Sequence, residues 1–246
     1  MPGTPRSLLI LGGTREAAEL AERLSAHDKI RIVTSLAGRT RDPELPASET
    51  RIGGFGGPDG LAAYLRDEGF DLIVDATHPF AETISANAAA AAELADVPLL
   101  RLQRPAWNPE TGDDWQSVAS LDEACRAIPQ SARVFLALGR QYIDAFAERE
   151  DVFFVVRMVD LPQTPLPFAS FELVIGKPLD SPDREAALLR FHAITRIVCR
   201  NSGGDGSYAK IVAARDLSIP VIMIERPAIT ADRSFSTVND LLAAIT

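Results

Sequence analysis

The feature that most constrains the fold is a short apolar segment near the start of the chain, closed by two glycines. Residues 8–11 are consecutive apolar residues, a run typical of a strand buried in a parallel sheet. Gly12 and Gly13 allow a sharp turn and a close approach of the backbone to a ligand. Thr14 can cap a following helix, whose first N–H groups favour an anion. The segment predicts either a dinucleotide phosphate site or a tight turn without a ligand, since it lacks the full G-x-G-x-x-G pattern.

The charge of the chain limits its partners. A formal net charge of −9 argues against general binding to nucleic acids or to anionic membranes. The length of 246 residues allows one large domain or two small ones. No apolar run reaches membrane-spanning length, and no secretory signal is recognisable. We therefore expect a cytoplasmic monomer that acts on a small molecule and binds neither nucleic acid nor membrane.

The cysteines and histidines do not indicate a metal site. Cys125 and Cys199 are too few for a disulfide framework, and their apolar neighbours favour buried thiols over reactive ones. The three histidines, His27, His78 and His192, do not have the spacing of zinc ligands. We expect no metal.

The end of the second predicted strand favours NADP(H) over NAD(H). An acidic residue at this place in a Rossmann fold holds the ribose hydroxyls, whereas arginine accepts a 2′-phosphate. This segment has hydroxyl groups and a basic residue, and no acid before Asp42. A polar surface loop is the alternative. The candidates for contact are Ser35, Gly38, Arg39 and Thr40.

The loop after the third predicted strand contains four glycines around one aromatic residue, Phe55, in residues 53–57. Such a loop predicts a backbone pressed close to a flat or bulky ligand, with the aromatic ring against it. The alternative is a loop whose Phe55 is packed into the core.

The next strand ends in a polar cluster that includes Thr77, His78 and Pro79. Such a cluster lies at the carboxyl end of a parallel strand, where open α/β sheets bind ligands. His78 is a candidate acid or ligand donor, because the pKa of histidine lies near neutrality. Alternatively, these residues only end the strand and open the next helix.

The second half of the chain repeats the alternation of strands and helices. The predicted fold is α/β, with two Rossmann-like lobes, mainly parallel sheets and a cleft between them. Residues 1–103 are expected to form an N-terminal NADPH-binding domain and residues 117–246 a C-terminal substrate domain, joined by a linker at 104–116. A second glycine-rich strand-to-helix turn, at 201–206, has the position that Gly12 and Gly13 have in the first half.

Taken together, the motifs resemble those of the precorrin-6A reductase family, NADPH-dependent enzymes of corrin-ring biosynthesis on the route to cobalamin. The resemblance covers nearly the whole chain, at residues 11–16, 37–40, 53–57, 75–81, 104–107, 139–140, 201–204, 210–215, 220–224 and 226–227. It implies two Rossmann-like domains and NADPH as cofactor. It also implies reduction of one double bond in the macrocycle of precorrin-6A, which gives precorrin-6B. Hydride adds to one ring carbon and a proton to its neighbour.

The resemblance suggests roles for the cofactor candidates. Backbone amides of Gly12, Gly13 and Thr14 are expected to meet the pyrophosphate. The expected contacts of the 2′-phosphate are Ser35, Arg39 and Thr40. The expected border of the nicotinamide consists of Gly54, Phe55, Gly56, Thr77, His78 and Pro79.

Since a tetrapyrrole of this class bears many carboxylates, an acidic protein must concentrate basic groups locally. The substrate-binding candidates lie in or beside loops at predicted strand ends: Arg104, Arg140, Lys177, Arg200, Asn201, Ser202, Gly203, Gly204 and Lys210. The proton source is His78, Tyr208 or a bound water. Tyr208 and Lys210 lack the spacing of the short-chain dehydrogenase pair. The alternatives are another NADP-dependent Rossmann reductase and a non-catalytic NADPH-binding module.

Overall fold

The apolar segment that opens the chain lies at the centre of a parallel sheet. In the computed structural model, which describes residues 7–26, 29–37, 48–227 and 233–245, it forms strand β1 (Ser7–Leu11), buried along its whole length. Helix α1 (Arg15–Ser25) follows, and the Thr14 side chain accepts a hydrogen bond from the Ala17 N–H as an N-cap. Alternate β1 residues pack on opposite faces, Leu8 and Ile10 on one and Leu9 and Leu11 on the other.

Strands and helices alternate along both halves of the chain. After α1 the first half contains β2 (Arg31–Leu36), β3 (Glu49–Ile52), α2 (Pro58–Asp67), β4 (Leu72–Asp75), α3 (Glu82–Ala95) and β5 (Leu99–Leu102). The next elements are β6 (Trp115–Val118), α4 (Leu121–Ala127), β7 (Arg133–Ala137), a 3₁₀ helix (Arg140–Phe146), β8 (Phe153–Met158) and β9 (Phe171–Ile175). The last are α5 (Pro182–Phe191), β10 (Arg196–Arg200), α6 (Ala209–Asp216), β11 (Val221–Ile224), β12 (Ser234–Phe235) and α7 (Val238–Ile245).

These strands form two six-stranded sheets in which every pairing is parallel. The order is β12-β5-β4-β1-β2-β3 in one sheet and β6-β11-β10-β7-β8-β9 in the other. In each, the chain reverses its direction of travel across the sheet once near the middle, between β1 and β4 and between β7 and β10. Open α/β sheets bind ligands beyond the carboxyl ends of strands at such a switch point. The predicted α/β class with mainly parallel sheets is confirmed.

The chain divides into two units, and the division differs from the expected boundaries. The first unit comprises Met1–Pro105 and Pro227–Thr246, and the second comprises Ala106–Arg226. The end of the chain returns to the first sheet, because β12 pairs with β5 and α7 packs in the cluster that contains Leu8 and Leu20. The expected linker overlaps a strand, since β6 pairs with β11. Strands this short leave too weak a pattern in the sequence to be recognised.

No helix in the described part of the chain is long and apolar enough to cross a membrane.

Candidate functional site

The Gly12-Gly13 turn lies at the switch point of the first sheet. Gly12 donates its N–H to the carbonyl of Ser35, 2.9 Å away, so the turn is tied to the end of β2. A Cβ on Gly12 would lie only 3.0 Å from Cγ2 of Thr34, so the close packing there requires a glycine. Gly13 has φ +102°, and its virtual Cβ points into space free of described atoms within 4 Å. The turn therefore offers an open cradle against the N-terminus of α1, which fits a phosphate.

Thr14 joins this turn to the end of β4. Its hydroxyl donates to the carbonyl of Ala76 at 2.7 Å and accepts from the N–H of Ala17 at 3.1 Å. The two strand ends that flank the switch point are thus held together by one side chain, which lies where the sequence predicts cofactor binding.

The turn that follows β4 is organised by a buried carboxylate that the sequence analysis missed. Asp75 is 2% exposed, and its Oδ1 accepts hydrogen bonds from the Thr77 N–H at 3.1 Å and hydroxyl at 2.6 Å. Its Oδ2 lies 3.7 Å from the Arg101 guanidinium, which is also buried. Asp75 is a positioning residue for the predicted cofactor residue Thr77. An acid that ends an otherwise apolar strand was the available signal.

His78 has a defined ring orientation in this turn. Its Nδ1 accepts the Phe80 N–H at 3.3 Å, and its carbonyl accepts the Ala81 N–H at 2.8 Å. With Nδ1 as an acceptor, the neutral ring carries its proton on Nε2. The partly exposed His78 side chain can therefore donate a hydrogen bond from Nε2, while the adjacent Pro79 is buried.

The glycine loop after β3 leads into α2, which packs beside α3 on one face of the first sheet. Strands β2 and β1 separate β3 from β4 in the sheet. Phe55 is half-buried, packs against the core cluster that includes Leu61, and lies 5.4 Å from Tyr64 between ring centroids. Ile84, in the first turn of the helix that follows Thr77–Pro79, packs on the same cluster, so the expected nicotinamide border of Gly54, Phe55 and Gly56 stays a prediction.

The expected 2′-phosphate residues are only partly within the described chain. Ser35 lies in β2 beside Leu11 and is 6% exposed. Gly38, Arg39 and Thr40 lie outside the described residues.

In the second unit, the turn that follows β10 is clamped by a tryptophan. Asn201 is 3% exposed, and its side chain pairs with the Trp107 backbone in both directions, at 2.8 Å to the N–H and 3.0 Å to the carbonyl. The Trp107 indole N–H donates to the carbonyl of Gly204 at 2.8 Å. The Asn201 side-chain amide is therefore bonded within the protein, an arrangement that disfavours the expected contact with substrate. Asn201 instead positions the turn against Trp107.

The turn itself has the backbone form that sequence predicts. Gly203 and Gly204 have φ +65° and +67°, conformations that side chains other than glycine rarely adopt. Ser202 donates its N–H to the carbonyl of Arg200 at 2.7 Å. Trp107, which was noticed only as part of a motif, holds this conformation.

Tyr208 belongs to a polar cluster that includes Glu110, Asp113 and Arg215. Its hydroxyl donates to Glu110 at 2.8 Å and accepts from Arg215 at 3.0 Å. Burial, reinforced by the Glu110 hydrogen bond, raises the pKa of Tyr208. Its proton is thus committed to Glu110, an arrangement that disfavours the expected role of proton donor.

Lys210 is an interior cation rather than a surface one. It is 4% exposed, donates to the carbonyl of Ser207 at 2.6 Å and lies 4.8 Å from the centre of the Trp107 ring. Burial lowers the pKa of Lys210. The Lys210 side chain is therefore buried against Trp107, a position that disfavours the expected contact with substrate.

The buried Lys210 predicts a pH-dependent stability. Between its lowered native pKa and the unfolded value of about 10.4, the unfolded chain binds more protons, so stability rises with pH by up to about 1.4 kcal/mol per pH unit. In Lys210→Met this contribution disappears. Urea unfolding of both proteins at several pH values up to 10 measures it. Equal slopes for the two proteins would contradict the assignment.

The remaining basic candidates have different surroundings. Arg104, in the first unit, forms an ion pair with Glu16 at 2.8 Å, beside the start of α1. Arg140 is exposed and donates to the Thr164 hydroxyl at 3.0 Å. Lys177 is exposed, and the Arg200 guanidinium lies 4.5 Å from the centre of the Tyr142 ring.

The fold and the first-unit turn define a class: an α/β protein of Rossmann type with an open glycine turn at its switch point. Residues 7–246 match the family described as Precorrin-6x reductase CbiJ/CobK. The chain belongs to this family and is a reductase, which confirms the predicted resemblance.

Similar proteins match over almost their whole length. The precorrin-6A reductase of Rhodococcus erythropolis is 46% identical over 97% of this chain and 95% of its own. That of Rhodobacter capsulatus is 43% identical over 96% of this chain and 94% of its own. The solved structure of CobK precorrin-6A reductase superimposes with a TM-score of 0.92 at 42% identity, covering 97% of this chain and 95% of that one.

Proposed function

We propose that this chain catalyses the NADPH-dependent reduction of a macrocycle double bond in precorrin-6A, giving precorrin-6B, in cobalamin biosynthesis. The observation that carries the proposal is the likeness to precorrin-6A reductases along residues 7–246, which includes the open Gly12-Gly13 cradle at the switch point. Binding of NADPH and of a tetrapyrrole are both part of this proposal.

The residues of the first unit fit the cofactor. Backbone amides at Gly13 and Thr14 hold the pyrophosphate, and the open space at Gly13 leaves room for it. The N–H of Gly12, expected to join them, is already bonded to Ser35, so Gly12 positions the turn instead. Ser35, Arg39 and Thr40 are proposed for the 2′-phosphate, where arginine binds with two parallel hydrogen bonds. When bound, NADPH supplies the hydride.

The protein supplies position and a proton. Asp75 and Thr14 fix the turn that contains Thr77 and His78, so the Nε2–H of His78 is held at the carboxyl edge of the sheet. In the second unit, exposed Arg140 and Lys177 are proposed to pair with substrate carboxylates. The backbone N–H groups of Gly203 and Gly204 and the side chain of Ser202 are proposed to add to them, because the Ser202 N–H is already bonded to Arg200.

Replacement of His78 tests its role as the proton donor. His78→Ala is expected to slow the single-turnover reduction by about 100-fold, a magnitude typical of lost general acid catalysis, and to change its pH profile. His78→Gln keeps a hydrogen-bond donor but has no titratable proton. It should therefore bind NADPH and precorrin-6A as the wild type does, without regaining the wild-type rate. Wild-type rates and pH profiles in both variants would remove His78 from the mechanism.

Mixing the protein with NADPH and precorrin-6A tests the activity directly. The absorbance of both compounds is expected to change, and the changes should correspond to equal molar amounts of NADPH and precorrin-6A consumed. Oxidation of NADPH only with other carbonyl compounds would indicate a general Rossmann reductase. Binding of NADPH without oxidation under any condition would indicate a non-catalytic module.

A further inference from the structure

A buried ion pair lies between the end of β8 and the start of α5 in the second unit. Arg157, on β8, is 7% exposed, and Glu185, in the first turn of α5, has no exposed surface. The guanidinium donates two hydrogen bonds to the carboxylate, at 2.6 and 2.8 Å. Apolar side chains of similar volume often stabilise a fold as well as such a pair does, so stability alone does not explain these charges.

The β9–α5 loop, residues 176–181, is held at two points by this part of the structure. At its start, the Gly176 N–H donates to the carbonyl of Met158, the last residue of β8, at 2.8 Å. Further along, the Leu179 N–H donates to Oε1 of Glu185 at 3.0 Å. The buried carboxylate therefore bonds to the loop as well as to its counter-ion.

Lys177 and Pro178 are the two residues between these anchors. Lys177 is exposed and follows the carboxyl end of β9, at the edge where parallel sheets bind ligands. The ring of Pro178 fixes its φ angle. A two-residue segment with both ends bonded and one fixed angle has few conformations, so the backbone that carries the Lys177 side chain is set before a ligand arrives.

We propose that Glu185 is a positioning residue for the reduction, which holds the β9–α5 loop so that Lys177 meets a carboxylate of the tetrapyrrole. Arg157 keeps the Glu185 side chain in the orientation that reaches the loop, through two parallel hydrogen bonds. A loop fixed in advance lowers the entropy lost when substrate binds. The inference rests on the proposed function, because it takes a polyanionic tetrapyrrole as the substrate.

Two double variants that differ only at position 185 test this role. Arg157→Met/Glu185→Leu and Arg157→Met/Glu185→Gln both lose the ion pair, and only the second keeps a side-chain oxygen for the Leu179 N–H. At a temperature where both are folded, the variant with Glu185→Leu should have a KM for precorrin-6A about fivefold higher, comparable to the cost of ordering one long side chain. The variant with Glu185→Gln should keep the wild-type KM. In both, kcat and the KM for NADPH should not change, because only substrate binding is affected.

Lys177→Met tests whether the effect of Glu185 passes through Lys177. This exposed substitution should itself raise the KM for precorrin-6A about tenfold, a loss typical of one charged hydrogen bond. Added to the two double variants, it should leave them with equal KM values, because the loop then has no charge to position.

Three results would overturn the assignment. The first is an equal KM for precorrin-6A in the two double variants while Lys177 is present. The second is a difference between them that persists after Lys177→Met. The third is a loss of kcat and of NADPH affinity together with the rise in KM, which would indicate a general structural effect. A wild-type protein that does not reduce precorrin-6A would instead overturn the proposed function, and this assignment with it.

Discussion

Glu185→Gln is expected to lower the free energy of unfolding of the second unit by about 3–5 kcal/mol, the range for breaking one partner of a buried ion pair. The Glu185 carboxylate, with no exposed surface, accepts two hydrogen bonds from Arg157 at 2.6 and 2.8 Å. It also accepts the Leu179 N–H at 3.0 Å. The substitution leaves the 7%-exposed Arg157 charge without its counter-ion, in the same interior as Lys210.

Urea unfolding followed by tryptophan fluorescence measures this loss, because both tryptophans, Trp107 and Trp115, lie in the second unit. Asp183→Asn makes the same change from carboxylate to amide at an exposed position in the first turn of α5, and is expected to cost no more than about 1 kcal/mol, the contribution of a carboxylate at a helix N-terminus. The double variant Arg157→Met/Glu185→Leu removes both charges and should lose less than Glu185→Gln. A Glu185→Gln midpoint equal to that of the control would contradict the account.

Gly13→Ala is expected to weaken NADPH binding by about 100-fold, the equivalent of one or two lost charge-assisted hydrogen bonds. At φ +102° an alanine is strained, and its Cβ occupies the open space above the turn. The backbone amides can then no longer meet the pyrophosphate. Calorimetric titration with NADPH measures the effect.

Gly69→Ala is the matched control for backbone strain. Gly69 has φ +66°, follows α2, and likewise has no described atom within 4 Å of its virtual Cβ. Its variant should show a lowered melting temperature with wild-type affinity for NADPH. If Gly13→Ala and Gly69→Ala bound NADPH equally well, the phosphate would not lie at the turn.

Much of the fold could be predicted because burial and turn chemistry act locally. The apolar residues of β1 and the capping Thr14 are read directly from the sequence, and the structure has both where they were expected. The return of β12 to the first sheet could not be predicted, since two residues carry no periodicity and their pairing with β5 depends on the whole chain.

The parts of the candidate site that could be predicted from the sequence are those formed by backbone groups in glycine turns. The glycine turns at Gly13 and Gly203 have the positive φ angles that their residue type suggests. The sequence could not show that Asn201, after β10, and Lys210, in α6, point into the protein, because the residue type does not fix the direction of the side chain. Asp75, which organises the Thr77 turn, was missed because its role depends on contacts made after folding.

Transfer of deuterium from NADPH to the macrocycle is the measurement that most directly tests the proposed activity. The protein is incubated with precorrin-6A and NADPH in which both hydrogens on C4 of the nicotinamide are deuterium. The mass of the product is then measured by mass spectrometry. The expected product is precorrin-6B that contains a single carbon-bound deuterium, since the cofactor supplies the hydride and His78 the proton. Unchanged precorrin-6A, or a reduced product without deuterium, would contradict the proposed activity.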